Sequence, residues 1–178
     1  MTDTELVHTI IRHTELSPEL AAEIEDHYQQ TFAFEINRIK EWTVAEWMLI
    51  SYVGDEWVSL IELSKREITV GGLPLLVGGI GGVYTPEQHR GKGYAHAALR
   101  RAMAFLCEEQ RVAFAMLLCG DHRVSLYQGL GWQVVGNPAR YQQTTGDDVL
   151  PPEFNVMVYS CGNQPWPEGE IDFRGRPW

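Results

Sequence analysis

Residues 77–95 read VGGIGGVYTPEQHRGKGYA, a strand that runs into a tight turn and opens a helix. The apolar, glycine-studded run Leu73–Thr85 stops at Pro86, and Gly91 and Gly93 stand where the backbone must bend sharply. From Tyr94 on, Ala95, Ala98, Leu99, Ala102, Met103 and Leu106 recur at three- and four-residue spacing, which marks one buried helix face. A glycine-rich turn feeding a helix start leaves several backbone N–H groups aimed at one point. The positive end of the helix dipole stands behind them, so the sequence predicts a phosphate site at this turn.

Two nucleotide-binding patterns fail here. A dinucleotide fold wants G-x-G-x-x-G and an acid about 20 residues on, whereas the run after Arg111 is VAFAMLLCG. A phosphate loop of the Walker type wants Ser or Thr after Gly-Lys, and Lys92 is followed by Gly93. What remains is Gln88-x-x-Gly91-x-Gly93 followed by small residues, which resembles the acetyl-CoA loop of the GNAT N-acetyltransferase superfamily.

The bulk properties suit one globular domain spanning 1–178, with no apolar run near the ~20 residues that cross a membrane. The start MTDTELVHTI has no signal-peptide pattern, and three cysteines (Cys107, Cys119, Cys161) without metal-ligand spacing suit a reducing cytoplasm. The six histidines form no ligand motif, so no metal is expected. Residues 1–62 hold 13 acids against 3 bases, and the rest of the chain is balanced. Such a surface repels nucleic acid and attracts polyamines and other cations; solvated helix faces that keep the protein soluble account for it equally well.

In order, Leu6–Arg12 reads as a strand, and Ser17-Pro18 as the cap and first turn of a helix to Gln30. Thr31–Thr43 is less regular. Strands follow at Trp47–Val53, Glu56–Val70 and Leu73–Thr85, with turns at Gly54-Asp55 and Gly71-Gly72. After the central helix come a strand at Val112–Leu118, a short helix at Asp121–Gly129, and strands at Trp132–Val135 and Glu153–Ser160. Asn137–Pro152 reads as a mobile loop. The order predicts a mixed α/β (α+β) fold, a central mixed sheet of six to seven strands with helices on both faces.

That order is similar to the GNAT fold, and Leu126-Tyr127-Gln128-Gly129-Leu130-Gly131-Trp132 resembles the family's second motif, (F/L)-Y-x-x-x-G-(F/W). The resemblance implies that the fourth and fifth strands splay apart to admit the pantetheine arm of acetyl-CoA, whose amides would pair near Val83, Tyr84 and Thr85. Main-chain groups from Arg90 through Gly91, Lys92, Gly93 and Tyr94 to Ala95 would hold the pyrophosphate, with Gln88 in the motif. Tyr127 would protonate the leaving thiolate, a tyrosine near ~10 giving its proton to a thiol near ~8.5; packing between helix and sheet is the plainer role for it.

The strand end Gly82-Val83 and a chain ending in Trp178 are similar to the aminoglycoside 2′-N-acetyltransferase branch. That implies the terminal carboxylate of Trp178 at the acceptor amine and Glu35 in an early active-site loop; that carboxylate and Asp172 are candidate bases, or groups that merely solvate the tail. The branch's strand acid falls on Gly81 here, and its acid after the last strand falls near Ser160-Cys161. The tail Trp166-Pro167-Glu168-Gly169-Glu170-Ile171-Asp172 is similar to the end of nodulation N-acyltransferases. Both neighbours act on amino sugars, so the expected acceptor is a small cationic amine. Gly81, Gly82, Cys119 and Asp172 are its candidate contacts, and Trp42, Trp47 and Trp57 are candidate walls. A peptide or protein amine, and a non-catalytic acyl-CoA sensor, are the competing readings. Dimers are common in the superfamily, so a homodimer is among the assemblies implied.

Overall fold

The computed structural model describes residues 5–178; the reading of the first four residues lies outside them. The chain forms β1 (Leu6–Arg12), α1 (Pro18–Thr31), α2 (Ala33–Arg38), β2 (Trp47–Val53), β3 (Glu56–Val70), β4 (Leu73–Tyr84) and α3 (Tyr94–Ala104). It continues through β5 (Phe114–Cys119), α4 (Val124–Gln128), β6 (Gln133–Val135), β7 (Ala139–Gln143), β8 (Gly146–Val149), β9 (Asn155–Ser160) and β10 (Ile171–Asp172). Ser17 caps α1 by accepting from the Leu20 N–H at 3.2 Å, with Pro18 in the first turn.

β1 to β4 form an antiparallel meander, and α3 then carries the chain over so that β5 lies parallel to β4. β9 adds antiparallel to β5, and β6 to β9. Alternation along the strands sorts the core. Leu49, Ile61, Leu63 and Ile80 meet α3 through Ala98, Leu99, Ala102 and Met103. Met48, Ile50 and Leu60 face the other way, against Ile24, Leu20 and Tyr28 of α1. Helices therefore cover both faces, as predicted.

The sheet is larger than the expected six to seven strands; among the described residues it has ten. Residues 137–152, expected to form a mobile loop, contain the hairpin β7–β8, with Arg140 paired to Val149 and Gln143 to Gly146. β10 wedges between β3 and β7, antiparallel to the first and parallel to the second. The expectation for the cysteines is corrected as well. Cys107, in the turn that continues α3, is bridged to Cys161 just past β9, and Cys119 alone is free.

Beyond β10 the tail is stitched down by Arg66 of β3. Its Nη1 donates to the carbonyls of Arg176 (2.7 Å) and Phe173 (3.2 Å), and its Nη2 donates to Thr43 Oγ1 (2.7 Å). The same guanidinium lies 5.1 Å from the Trp178 ring centre, and the Trp178 indole N–H donates to the Met116 carbonyl at 3.0 Å. The indole lies so close over Gly79 that any side chain there would collide with it. Arg66→Ala should therefore lower unfolding stability by roughly 2–4 kcal/mol, since it orphans tail carbonyls bonded by a charged donor. Arg174→Ala, which removes an exposed bridge to Glu67, should cost less than about 1 kcal/mol. Urea denaturation of the two variants beside the parent checks the contrast.

Candidate active site

β4 and β5 pair from Val77↔Phe114 to Ile80↔Leu117, and there the ladder stops although both strands run on. The cause lies in β4. Between the pairs Glu62↔Gly81 and Leu60↔Tyr84 it carries one residue more than β3, a bulge that bends the strand. Gly82 holds the bulge with φ +53°, a conformation costly for any residue with a Cβ. The Tyr28 hydroxyl of α1 donates to its carbonyl at 3.0 Å and locks it. On the far side β5 stays paired to β9, Leu118 with Val156 and Cys119 with Asn155. The two strands thus part into a wedge, as the resemblance implied.

Within the wedge Val83 has no cross-strand partner on β3 or β5. The neighbouring carbonyls are already engaged: Ser59 Oγ donates to that of Tyr84 at 3.1 Å, and Arg90 Nε to that of Thr85 at 3.0 Å. The Tyr84 ring points to α1, where its hydroxyl meets His27 Nδ1 at 2.9 Å. Of the three residues expected to pair with the donor's amides, Val83 is the one with neither a cross-strand partner nor a side-chain donor on its carbonyl.

The loop after β4 makes the sharp turn expected of its glycines. Gly91 (φ +76°) and Gly93 (φ +83°) turn the chain into α3, and no side chain caps the helix start at Gly93. Gly91, Lys92 and Gly93 are exposed, with open space where Cβ atoms of the two glycines would stand. The first-turn amides from Tyr94 and Ala95 thus lie under an open surface suited to an anion. Arg90 spends part of its guanidinium closing the turn on Thr85. Gln88 borders a separate shallow pocket with Glu23, His27 and Trp57.

A chamber of about 470 Å³ opens from the wedge toward α1 and α2. On the wedge side it is lined by Val83, Leu118, Cys119 and Tyr127; on the helix side by Glu25, Tyr28, Phe32 and Glu35. Gly81, Gly82, Glu62, Trp42 and Trp178 lie between. The structure thus brings Tyr127, Trp178, Glu35, Gly81, Gly82 and Cys119 to one space. It places Asp172 elsewhere: one carboxylate oxygen takes Arg140 Nη2 at 2.7 Å and the other the Arg174 N–H at 2.8 Å. Of the three candidate tryptophan walls only Trp42 lines the chamber. Trp47 is buried in the core against Phe105, and Trp57 donates to Glu23.

Tyr127 packs edge-on to Trp132, at 6.1 Å between ring centres, and is 4 % exposed. Burial pushes its hydroxyl up to about 12, with Cys119 adding to the shift, so it remains a neutral donor over the whole working range of pH. That corrects the acidity of ~10 expected from sequence. Burial also pushes the Cys119 thiol up to about 11, and its Sγ rests 3.5 Å from Met157 Sδ, the setting of an inert core thiol.

Glu62 was missed by sequence reasoning. It sits on β3 directly across from Gly81, and burial, followed by the charge of Glu25, raises its carboxyl to about 7. The sequence signal was a lone acid between Ile61 and Leu63, inside a strand whose other central residues are apolar or small.

The family model described as an acetyltransferase (GNAT) domain matches residues 16–135 of the chain. No protein of curated function matches it in sequence. Among solved structures, Escherichia coli ElaA superposes with a TM-score of 0.63 at 16% identity, over 88% of this chain and 100% of its own. The E. coli GNAT N-acetyltransferase YhbS, solved with CoA, gives 0.61 at 17% identity, over 98% and 93% of the two chains. A GNAT acetyltransferase from Brucella melitensis, solved with acetyl-CoA, gives 0.56 at 15% identity, over 94% and 96%. The family match spans the wedge, the glycine turn and the Tyr127 motif alike; the chain belongs to the GNAT acetyltransferase family and is an acyltransferase.

Proposed function

We propose that the protein moves an acetyl group from acetyl-CoA to the primary amine of a small cationic acceptor, by direct attack with both substrates bound. The observation that carries this reading is the continuity of the chamber. One space runs from Val83 and Tyr127, where a thioester would lie, to the carboxyl groups of Glu25, Glu35 and Glu62. Carboxylates draw a cation, and the rings of Tyr28, Phe32, Trp42 and Trp178 give it apolar and π-faced walls. The CoA- and acetyl-CoA-bound folds of the E. coli and Brucella proteins support the choice of donor.

The chain's own groups then have distinct tasks. The free amides at the start of α3 hold the diphosphate, with Lys92 beside them in solvent. The unpaired main chain of Val83 aligns the donor as an added strand, and this fixes the carbonyl carbon beside the amine. As the nitrogen–carbon bond forms and the carbon–sulfur bond breaks, Tyr127 donates its hydroxyl hydrogen to the departing sulfur. A hydroxyl at about 12 parts with that proton only if another replaces it, and the acylated nitrogen sheds one in the same event.

Amino sugars, favoured by the resemblance to the aminoglycoside 2′-N-acetyltransferases, and polyamines, favoured by the acidic N-terminal third, are the two acceptor classes. A thiol-release assay over spermidine, glucosamine, neutral amines and amino acids should show turnover with the cationic members; turnover confined to neutral or acidic acceptors would contradict the assignment. Tyr127→Phe should lower kcat by about 10²–10⁴-fold while the CoA Kd stays within about twofold. Unchanged turnover in that variant would leave Tyr127 a packing residue.

A further inference from the structure

We propose that Glu62 is the group that takes the proton from the acceptor's ammonium, in place of the strand carboxylate that position 81 lacks. The proposal rests on the acetyl-transfer reading and adds to it the step that makes the amine a nucleophile.

The placement follows from strand register. Glu62 and Gly81 are direct partners across β3 and β4, at the last pair before the bulge. Glu62 Oε2 lies 3.8 Å from where a Gly81 Cβ would stand, and its carboxyl carbon 3.0 Å from the corresponding point on Gly82. An acid on the neighbouring strand thus fills the space that a side chain from position 81 would enter. The space at Gly81 also admits the end of the tail, with the carboxyl carbon of Trp178 3.1 Å from that same point, so a second carboxyl group faces Glu62 from the tail.

The surroundings suit a base rather than a structural ion pair. Glu25 and Tyr28 face Glu62 from α1, Gly81 and Gly82 from β4, Met48 pairs with it from β2, and Trp178 closes the tail side. Among the described residues no cation bridges it; His13 and Arg123, the cations of the chamber lining, form no salt bridge with it. A carboxylate lacking a counter-ion, inside a chamber continuous with the wedge, is an open seat for an alkylammonium. The proton passes from nitrogen to a Glu62 oxygen, which leaves the nitrogen lone pair free to form the new bond to carbon. The proton then leaves to solvent, and the net reaction is amine cation plus thioester to amide, thiol and one proton. A base whose ionisation falls near 7 is matched to this task at neutral pH.

The test is the pH dependence of kcat/KM for thiol release with spermidine and glucosamine, in the parent protein, Glu62→Gln and Glu25→Gln, beside calorimetric CoA binding. The parent profile should lose activity as pH falls through about 7, the point to which the Glu62 carboxyl is raised. Glu62→Gln should lower kcat by about 10²–10⁴-fold, abolish that limb and keep its CoA affinity. Glu25→Gln should move the limb to lower pH, since the Glu25 charge disfavours the ionised carboxyl; its rate relative to the parent should be higher at pH 6.5 than at pH 8.5.

Stability supplies a readout apart from turnover. Because the folded carboxyl titrates above the unfolded one, its favourable contribution is present below the unfolded value and lost as pH rises through about 7. The Tm of Glu62→Gln should gain on the parent between pH 4.5 and pH 8. A folded, CoA-binding Glu62→Gln that keeps both the rate and the limb would overturn the assignment and leave acetyl transfer standing. A parent protein that binds CoA yet releases no thiol with any amine would overturn both together.

Discussion

Two parallel strands remain hydrogen-bonded only while both keep the same pleat, and β4 loses it at one residue. Gly82 adopts a left-handed conformation, inserts an extra residue opposite β3 and turns the rest of β4 away from β5. The main chain of Val83 is left without a strand partner, with β5 held back by β9. Every functional element is placed relative to that break. The glycine turn and α3 follow directly from the diverted strand, and Tyr127 borders the gap on α4 from the other side. α1 is both the clamp on the bulge, through Tyr28, and one wall of the chamber.

The same bulge sets the electrostatics of the chamber. By bringing Gly81 and Gly82 beside Glu62, it clears space around a carboxyl that would otherwise be packed over by side chains. Tyr28 then answers two demands with one hydroxyl: it donates to the Gly82 carbonyl and stands beside the Glu62 carboxyl. The backbone bend and the proposed base therefore share one small cluster. The tail completes it. Arg66 fastens the chain between Phe173 and Arg176, and Trp178 is thereby pressed over Gly79 and against Gly81.

The parts of this arrangement that were legible in the sequence are those with a local cause. Gly91 and Gly93 before a run of Ala98, Leu99, Ala102 and Met103 dictate a turn and a helix by themselves, and the structure has both. Ser17-Pro18 likewise starts α1 where its capping chemistry says. What was missed depends on partners far along the chain. In the β7–β8 hairpin β7 buries Ala139 and Tyr141 over only five residues, while Gly146 to Val149 of β8 are open to solvent throughout, and the hairpin is fixed by pairing and by Arg140 with Asp147. β10 is two residues long and exists because β3 and β7 flank it. The bridge between Cys107 and Cys161 spans 54 residues, and no spacing rule reaches that far. Glu62 reads in isolation as an intruder in a core strand; only the register with Gly81 shows why the strand tolerates it.

The account stands on the parted strands and the uncapped helix start forming one binding surface for the acyl donor. Backbone hydrogen exchange with and without acetyl-CoA tests this most directly, because it reports on individual amides and needs no acceptor. Protection should rise at Val83 and from Arg90 to His96, with α2 and the β7–β8 hairpin unchanged. Protection absent from both segments, or gathered instead around Glu23, His27 and Trp57, would contradict it.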